Sequence, residues 1–227
     1  MEHMYNFVFN VYPYIGLSIF FLGCLIRYDR EQYTWKSDSS QLLYHGQLRI
    51  GSYLFHIGII LLFCCHLVGL LTPMQVYTSM GLPVEIKQKM AIGVGFCLGA
   101  MIWTGLLILL HRRLFRARIR KTSKKSDILV LVWLFVTVSL GLSTLPDSAA
   151  HLNGVDMERL ANWAQTVVTF GENPYQYMAD VPPVYKVHMF FGMTLFIILP
   201  FTRLVHIWSG FATPYYLIRP RQIVREK

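Results

Sequence analysis

Residues 54–69 read "LFHIGIILLFCCHLVG", a stretch without a charged residue in which His56 and His66 are the outstanding polar groups. With its apolar flanks the run covers about 52–71, and roughly 20 apolar helical residues are what crosses about 30 Å of hydrocarbon. Four more runs of this character fall at about 5–26, 88–110, 127–145 and 184–209. Across all 227 residues, 54% are hydrophobic and the mean hydropathy is +0.43, too apolar for an ordinary soluble domain. The strand-length alternation of a membrane barrel is missing, and only a helix satisfies its own backbone groups in lipid. The expectation is an all-α fold: one membrane domain over 1–227, a bundle of five transmembrane helices. The start, "MEHMYNFVFNVYPYIG", has no basic leader and no small-residue cleavage site, so the first run is expected to be a retained helix.

A net charge of +9 raises the question of nucleic acid, but the positions of the charges point elsewhere. If the helices alternate, one side receives Arg27, Arg30, Lys36 and Arg49, the run "RRLFRARIRKTSKK" at 112–125, and Arg219, Arg221, Arg225 and Lys227. That is 16 of the 21 basic residues; the other side receives Lys87, Lys89, Arg159 and Lys186, and Arg203 lies within the last run. Such asymmetry is the positive-inside rule, so the N-terminus is expected outside and the C-terminus in the cytoplasm. The expected partner of the charge is the cytoplasmic face of the lipid membrane, together with a protein docked there, and no nucleic acid.

Cys24, Cys64, Cys65 and Cys97 all fall in the apolar runs and form no CxxC pair, which argues against disulfides, zinc or iron–sulfur ligation. There is no CxxCH either, so a haem is not expected to be attached through that motif. Of eight histidines, His3, His45, His111 and His151 fall at ends or in loops, where solvent or one hydrogen bond accounts for them. The other four, His56, His66, His188 and His206, occur as two pairs in the second and fifth runs. One such residue is readily a packed side chain bonded to a carbonyl; two pairs on two helices point to function. Facing imidazoles in a bundle are a common way to hold haem iron.

Alternating topology pairs His66 with His188 near the outer face and His56 with His206 near the inner one. His56 and His66 are ten residues apart, about 15 Å of helix; His188 and His206 are eighteen apart, about 27 Å and five whole turns, on one face of an unbroken helix. Pro200 lies between the second pair and is expected to kink it. Gly69 and Gly192 sit one turn beyond His66 and His188, where a missing side chain leaves room for a porphyrin or serves close helix packing. Arg203, three residues before His206, suits a haem propionate or a snorkelling anchor. Met90, Met101, Met189 and Met193 are alternative ligands or filler.

The segments "VYPYIG", "RYDREQYTW", "LFHIGI", "HLVGLLTP", "LPVEIKQKMA", "NWAQTVVTF" and "GMTLFIILPFTRLVHIWS" closely resemble, in order and over nearly the whole chain, the γ subunit of respiratory nitrate reductase. The resemblance implies a membrane cytochrome b with two haem b groups, whose four ligands match His56, His66, His188 and His206. It implies oxidation of a quinol, menaquinol or ubiquinol, near the outer haem, where the lysine of the family motif matches Lys87 of "EIKQK". Lys89, two residues on, points elsewhere. The implied partners are an iron–sulfur β subunit and a molybdenum-containing α subunit on the cytoplasmic face, reducing nitrate to nitrite. The implied location is the cytoplasmic (inner) membrane. Cys64 and Cys65, the 72–81 connection and the 172–180 loop depart from the family pattern on the quinol side. Two other readings stand beside this one: the same dihaem fold serving a sulfite- or heterodisulfide-type reductase, and a haem-free transporter.

Overall fold

The computed structural model describes residues 2–35 and 45–209. Lys36, Arg219, Arg221, Arg225 and Lys227, counted above on one side, lie outside the described residues. The described elements are helical, in the order α1 (Glu2–Asn6), α2 (Tyr12–Arg30), α3 (His45–Leu71), α4 (Met74–Ser79), α5 (Val84–Phe115), α6 (Ala117–Thr122), α7 (Lys125–Ser143), α8 (Leu145–Ala150), α9 (Val155–Val168) and α10 (Pro183–Ile198). A π-helical turn, Phe7–Val11, joins α1 to α2. Among the described residues, five helical segments are long and apolar enough to cross a membrane: His3–Arg30, Gly46–Leu71, Val84–Phe115, Lys125–Ala150 and Pro183–Phe201. Most outrun the apolar windows, because a helix continues into the interface as long as its own backbone bonds are satisfied.

The chain's punctuation explains the ends. Pro83 and Pro182 precede α5 and α10 in extended conformation, and Arg112 and Arg113 close α5, where cations complement the carbonyl end of the dipole. Gly154 adopts φ +73 at the start of α9, a left-handed conformation that side chains resist, and the Gln88 side chain accepts its amide hydrogen at 2.8 Å. The buried Gln88 also donates to the carbonyls of Ser148 and His151, tying the loop between α8 and α9 to the first turn of α5.

α3 packs on α5, α5 on α7, α7 on α10 and α10 on α2. The α3–α5 seam is close: a Cβ on Gly105 would lie 2.7 Å from the Phe55 amide and 2.9 Å from the Gly51 carbonyl. Such small-residue seams let backbones approach where lipid supplies no hydrophobic drive. Ile102 and Leu106 are fully buried beside Phe55, Val130, Leu134 and Val138. α3 makes no comparable contact with α2 or α10, so the spans form an open arc. At one end α9 closes the arc, with Trp163 donating to the Phe9 carbonyl and Tyr14 to that of Val167. α6 marks the other end.

The fifth run departs from expectation: it is not one kinked helix to residue 209. α10 stops at Ile198, 3-10 turns cover Leu199–Phe201 and Arg203–Val205, and Thr202 between them is extended. Pro200 has no amide hydrogen, and its ring would clash with the carbonyl four residues back. The break is accommodated by α2, where a Cβ on Gly23 would meet Pro200 at 2.8 Å. The Arg27 guanidinium donates to the Pro200 and Thr202 carbonyls at 2.7 and 2.8 Å. His188 and His206 therefore do not share the face of one straight helix.

Candidate functional site

His56, His66, His188 and His206 all use Nδ1 in the same way. It bonds the carbonyl of Ser52 in His56 at 2.8 Å, of Leu62 in His66 at 2.9 Å, of Thr137 in His188 at 3.0 Å and of Arg203 in His206 at 2.6 Å. A carbonyl only accepts, so each Nδ1 carries the hydrogen, and in the neutral ring Nε2 keeps its lone pair. Orienting bonds of this kind are what metal-bound imidazoles make.

The arc brings one pair of rings, those of His56 and His206, together across its opening. His56 and His206 have ring centres 6.1 Å apart with planes at 65°. Two imidazoles separated in this way, one on each side of the opening, would hold a haem iron between them. His66 lies in the last turns of α3 and His188 in the first turns of α10, both toward the α9 end, where Gln165 of α9 donates to the Leu70 carbonyl and Trp163 shares a core with Tyr185. A Cβ on Gly69 or Gly192 would meet nothing within 4 Å, so both glycines border open space. These residues fit haem. Among the described residues no cluster of three or more His, Cys, Asp or Glu is assembled, so paired imidazoles are the candidate ligands. Of the methionines, Met193 is buried in the core with Met189 packed against it, Met101 borders the α3–α5 seam and Met90 is exposed.

Lys87 is buried, although it opens a helix near the surface, whereas Lys89 is exposed. Its Nζ donates to the Gly69 carbonyl at 3.1 Å and lies 3.9 Å from the centre of the Tyr77 ring. The last carbonyls of a helix have no partner within it. In α3 they are satisfied from three elements: Tyr77 donates to Val68, Lys87 to Gly69 and Gln165 to Leu70. Lys87 thus sits one turn from His66, under an aromatic face that attracts its charge.

At the α6 end, Arg203 Nε lies 3.8 Å from Asp127 Oδ1, and Arg113 pairs with Asp127 Oδ2 at 2.8 Å. Asp127, almost wholly buried, also accepts the Lys124 amide hydrogen at the start of α7. Sequence reasoning placed Arg203 beside His206 but missed Asp127, Tyr77, Gln165 and Gly141. A Cβ on Gly141 would lie 2.9 Å from the Cε1 of His188. Glycine is common in membrane helices, so Gly141 gives no local signal.

Residues 5–227 match the model of the nitrate reductase gamma subunit family. The chain is 44% identical to the respiratory nitrate reductase 1 gamma chain of Escherichia coli over the full length of both, and 43% to the nitrate reductase 2 gamma chain of that organism, over all of this chain and 99% of the relative. It is 40% identical to the nitrate reductase gamma chain of Bacillus subtilis, over 89% of this chain and 90% of that one. With five helices apolar enough to span a membrane among its described residues, the chain is a multi-pass membrane protein and belongs to the nitrate reductase gamma subunit family, the membrane-anchor subunit of respiratory nitrate reductase.

Proposed function

We propose that this chain is a dihaem cytochrome b that oxidises menaquinol or ubiquinol near the outer face. Its electrons go to cytoplasmic iron–sulfur β and molybdenum-containing α subunits, which reduce nitrate to nitrite. The observation that carries this reading is the common state of the four imidazoles, each with Nδ1 engaged by a carbonyl and Nε2 left to coordinate. Bound between the pairs, haem b supplies one-electron carriage between a two-electron quinol and a one-electron acceptor chain.

The residues divide the work by depth. His66 and His188 form the outer pair and His56 and His206 the inner one, with the positive-inside asymmetry setting the direction. Gly69 and Gly192 leave room beside the ligands, and Arg203, steadied by Asp127, is placed toward a propionate. Lys87 donates a hydrogen bond to a quinol oxygen, exchanging its Gly69 partner for the substrate. Oxidation of one quinol releases two electrons and two protons. Release of the protons outside, with electrons consumed inside, separates charge across the membrane. On the cytoplasmic side the exposed Arg118, Arg120 and Lys121 surround the buried Ile119, a basic surface for the partner subunits.

The test uses the purified complex. A short-chain quinol should reduce its b-type absorbance, and nitrate should then reoxidise it. Failure of either half-reaction in a complex that reduces nitrate with a soluble dye would contradict the reading.

A further inference from the structure

Three of the four histidines take their carbonyl from within their own stretch of chain, three or four residues back: Ser52, Leu62 and Arg203. His188 alone takes it from another helix, bonding Thr137 on α7. We infer that α7, which supplies no ligand, is the template that orients His188, and that Gly141 is the positioning residue whose missing side chain admits the imidazole to the Thr137 carbonyl. This rests on the reading of His188 as the outer haem ligand.

In a regular helix the Thr137 carbonyl already accepts the amide hydrogen of residue 141. Its second lone pair is reached from outside the helix, past the residue at 141, and with glycine there the way is open. The Thr137 hydroxyl is occupied elsewhere, donating to the Trp133 carbonyl at 2.8 Å. A Cβ on Gly141 would lie 2.9 Å from Cε1 and 3.4 Å from both ring nitrogens of His188. Cε1 sits between those nitrogens, so moving it disturbs both the Thr137 bond and the aim of Nε2. The helices cannot easily part to relieve the contact. Tyr185 donates to the Thr144 carbonyl and Trp133 to the Phe191 carbonyl, pinning α10 to α7 on either side of His188. The strain therefore falls on the ring.

The experiment compares Gly141→Ala with Gly99→Ala in the haem-loaded complex, read by the separate low-spin signals and redox titrations of the two haems. Gly99 is the control, because its Cβ would lie 2.7 Å from Leu142 Cδ2 in the α5–α7 packing and touch no histidine. Gly141→Ala should shift the outer-haem signal and potential and weaken outer-haem binding about 10-fold or more, as loss of an orienting contact does. The inner haem should be unchanged, and Gly99→Ala should keep both. An unaltered outer haem in Gly141→Ala, or equal disturbance of both haems by both variants, would overturn the template role. His188→Ala tests the underlying reading separately: an outer haem that survives it refutes the ligand assignment itself.

Discussion

The two ends of the bundle hold their histidine pairs by opposite means. At the α9 end His188 lies in a continuous helix but takes its orienting carbonyl from α7, and the carbonyls beyond His66 are closed by Tyr77, Lys87 and Gln165 from three other elements. At the α6 end His206 follows a broken helix and takes its carbonyl from Arg203 within the break, whose position is set by charge through Arg27 and Asp127. One end is organised by hydrogen bonds between helices under a lid, the other by buried ion pairs around a backbone break. The lesson is that groups remote in sequence shape the surroundings of each histidine pair, and the two sets of groups do not overlap.

On the proposed function, the largest effects should come from the four histidines. His66→Ala or His188→Ala should remove one and the same haem, and His56→Ala or His206→Ala the other, as counted by haem content and spectra. Loss of one common haem with all four variants would abolish the division between the ends. Next is Asp127→Ala, which leaves Arg113 and Arg203 without their shared buried carboxylate. Breaking such a pair costs about 3–5 kcal/mol. Thermal unfolding in detergent should fall and the inner-haem signal should change before the outer one; an outer haem lost first would reverse the comparison.

Smaller, but more informative about substrate, is Lys87→Ala. A lost hydrogen bond to an uncharged partner from a charged donor is worth about 1.5–3 kcal/mol, so the apparent affinity for quinol should fall by about 10-fold to 100-fold with both haem spectra intact. Unchanged kinetics would leave Lys87 only as the donor that caps α3. Lys89→Ala marks the bottom of the scale: the side chain is exposed, and quinol kinetics should stay within about 2-fold of the parent, the range of ordinary surface changes.

What could be read from the chain follows from how local each signal is. Five apolar runs are local, and five spanning helices stand where they were expected, with ends displaced into the interface. The end of the fifth was misjudged, because a kink and a break at Pro200 look alike until Gly23 and Arg27 on α2 are known to receive the break. The histidines stood out because imidazole in hydrocarbon is rare. Gly141, Asp127 and Tyr77 did not: each matters through a partner on another element, 47 residues away for Gly141 and His188 and 76 for Asp127 and Arg203. Lys87 was singled out by resemblance; its burial under Tyr77 comes from tertiary packing alone.

The most direct test of the central claim, that two imidazole pairs hold two haems in this chain, is a pyridine haemochrome measurement of haem type and haem per polypeptide on the purified protein. The account predicts two b-type haems per chain. One haem, or none in a well-folded preparation, would contradict it.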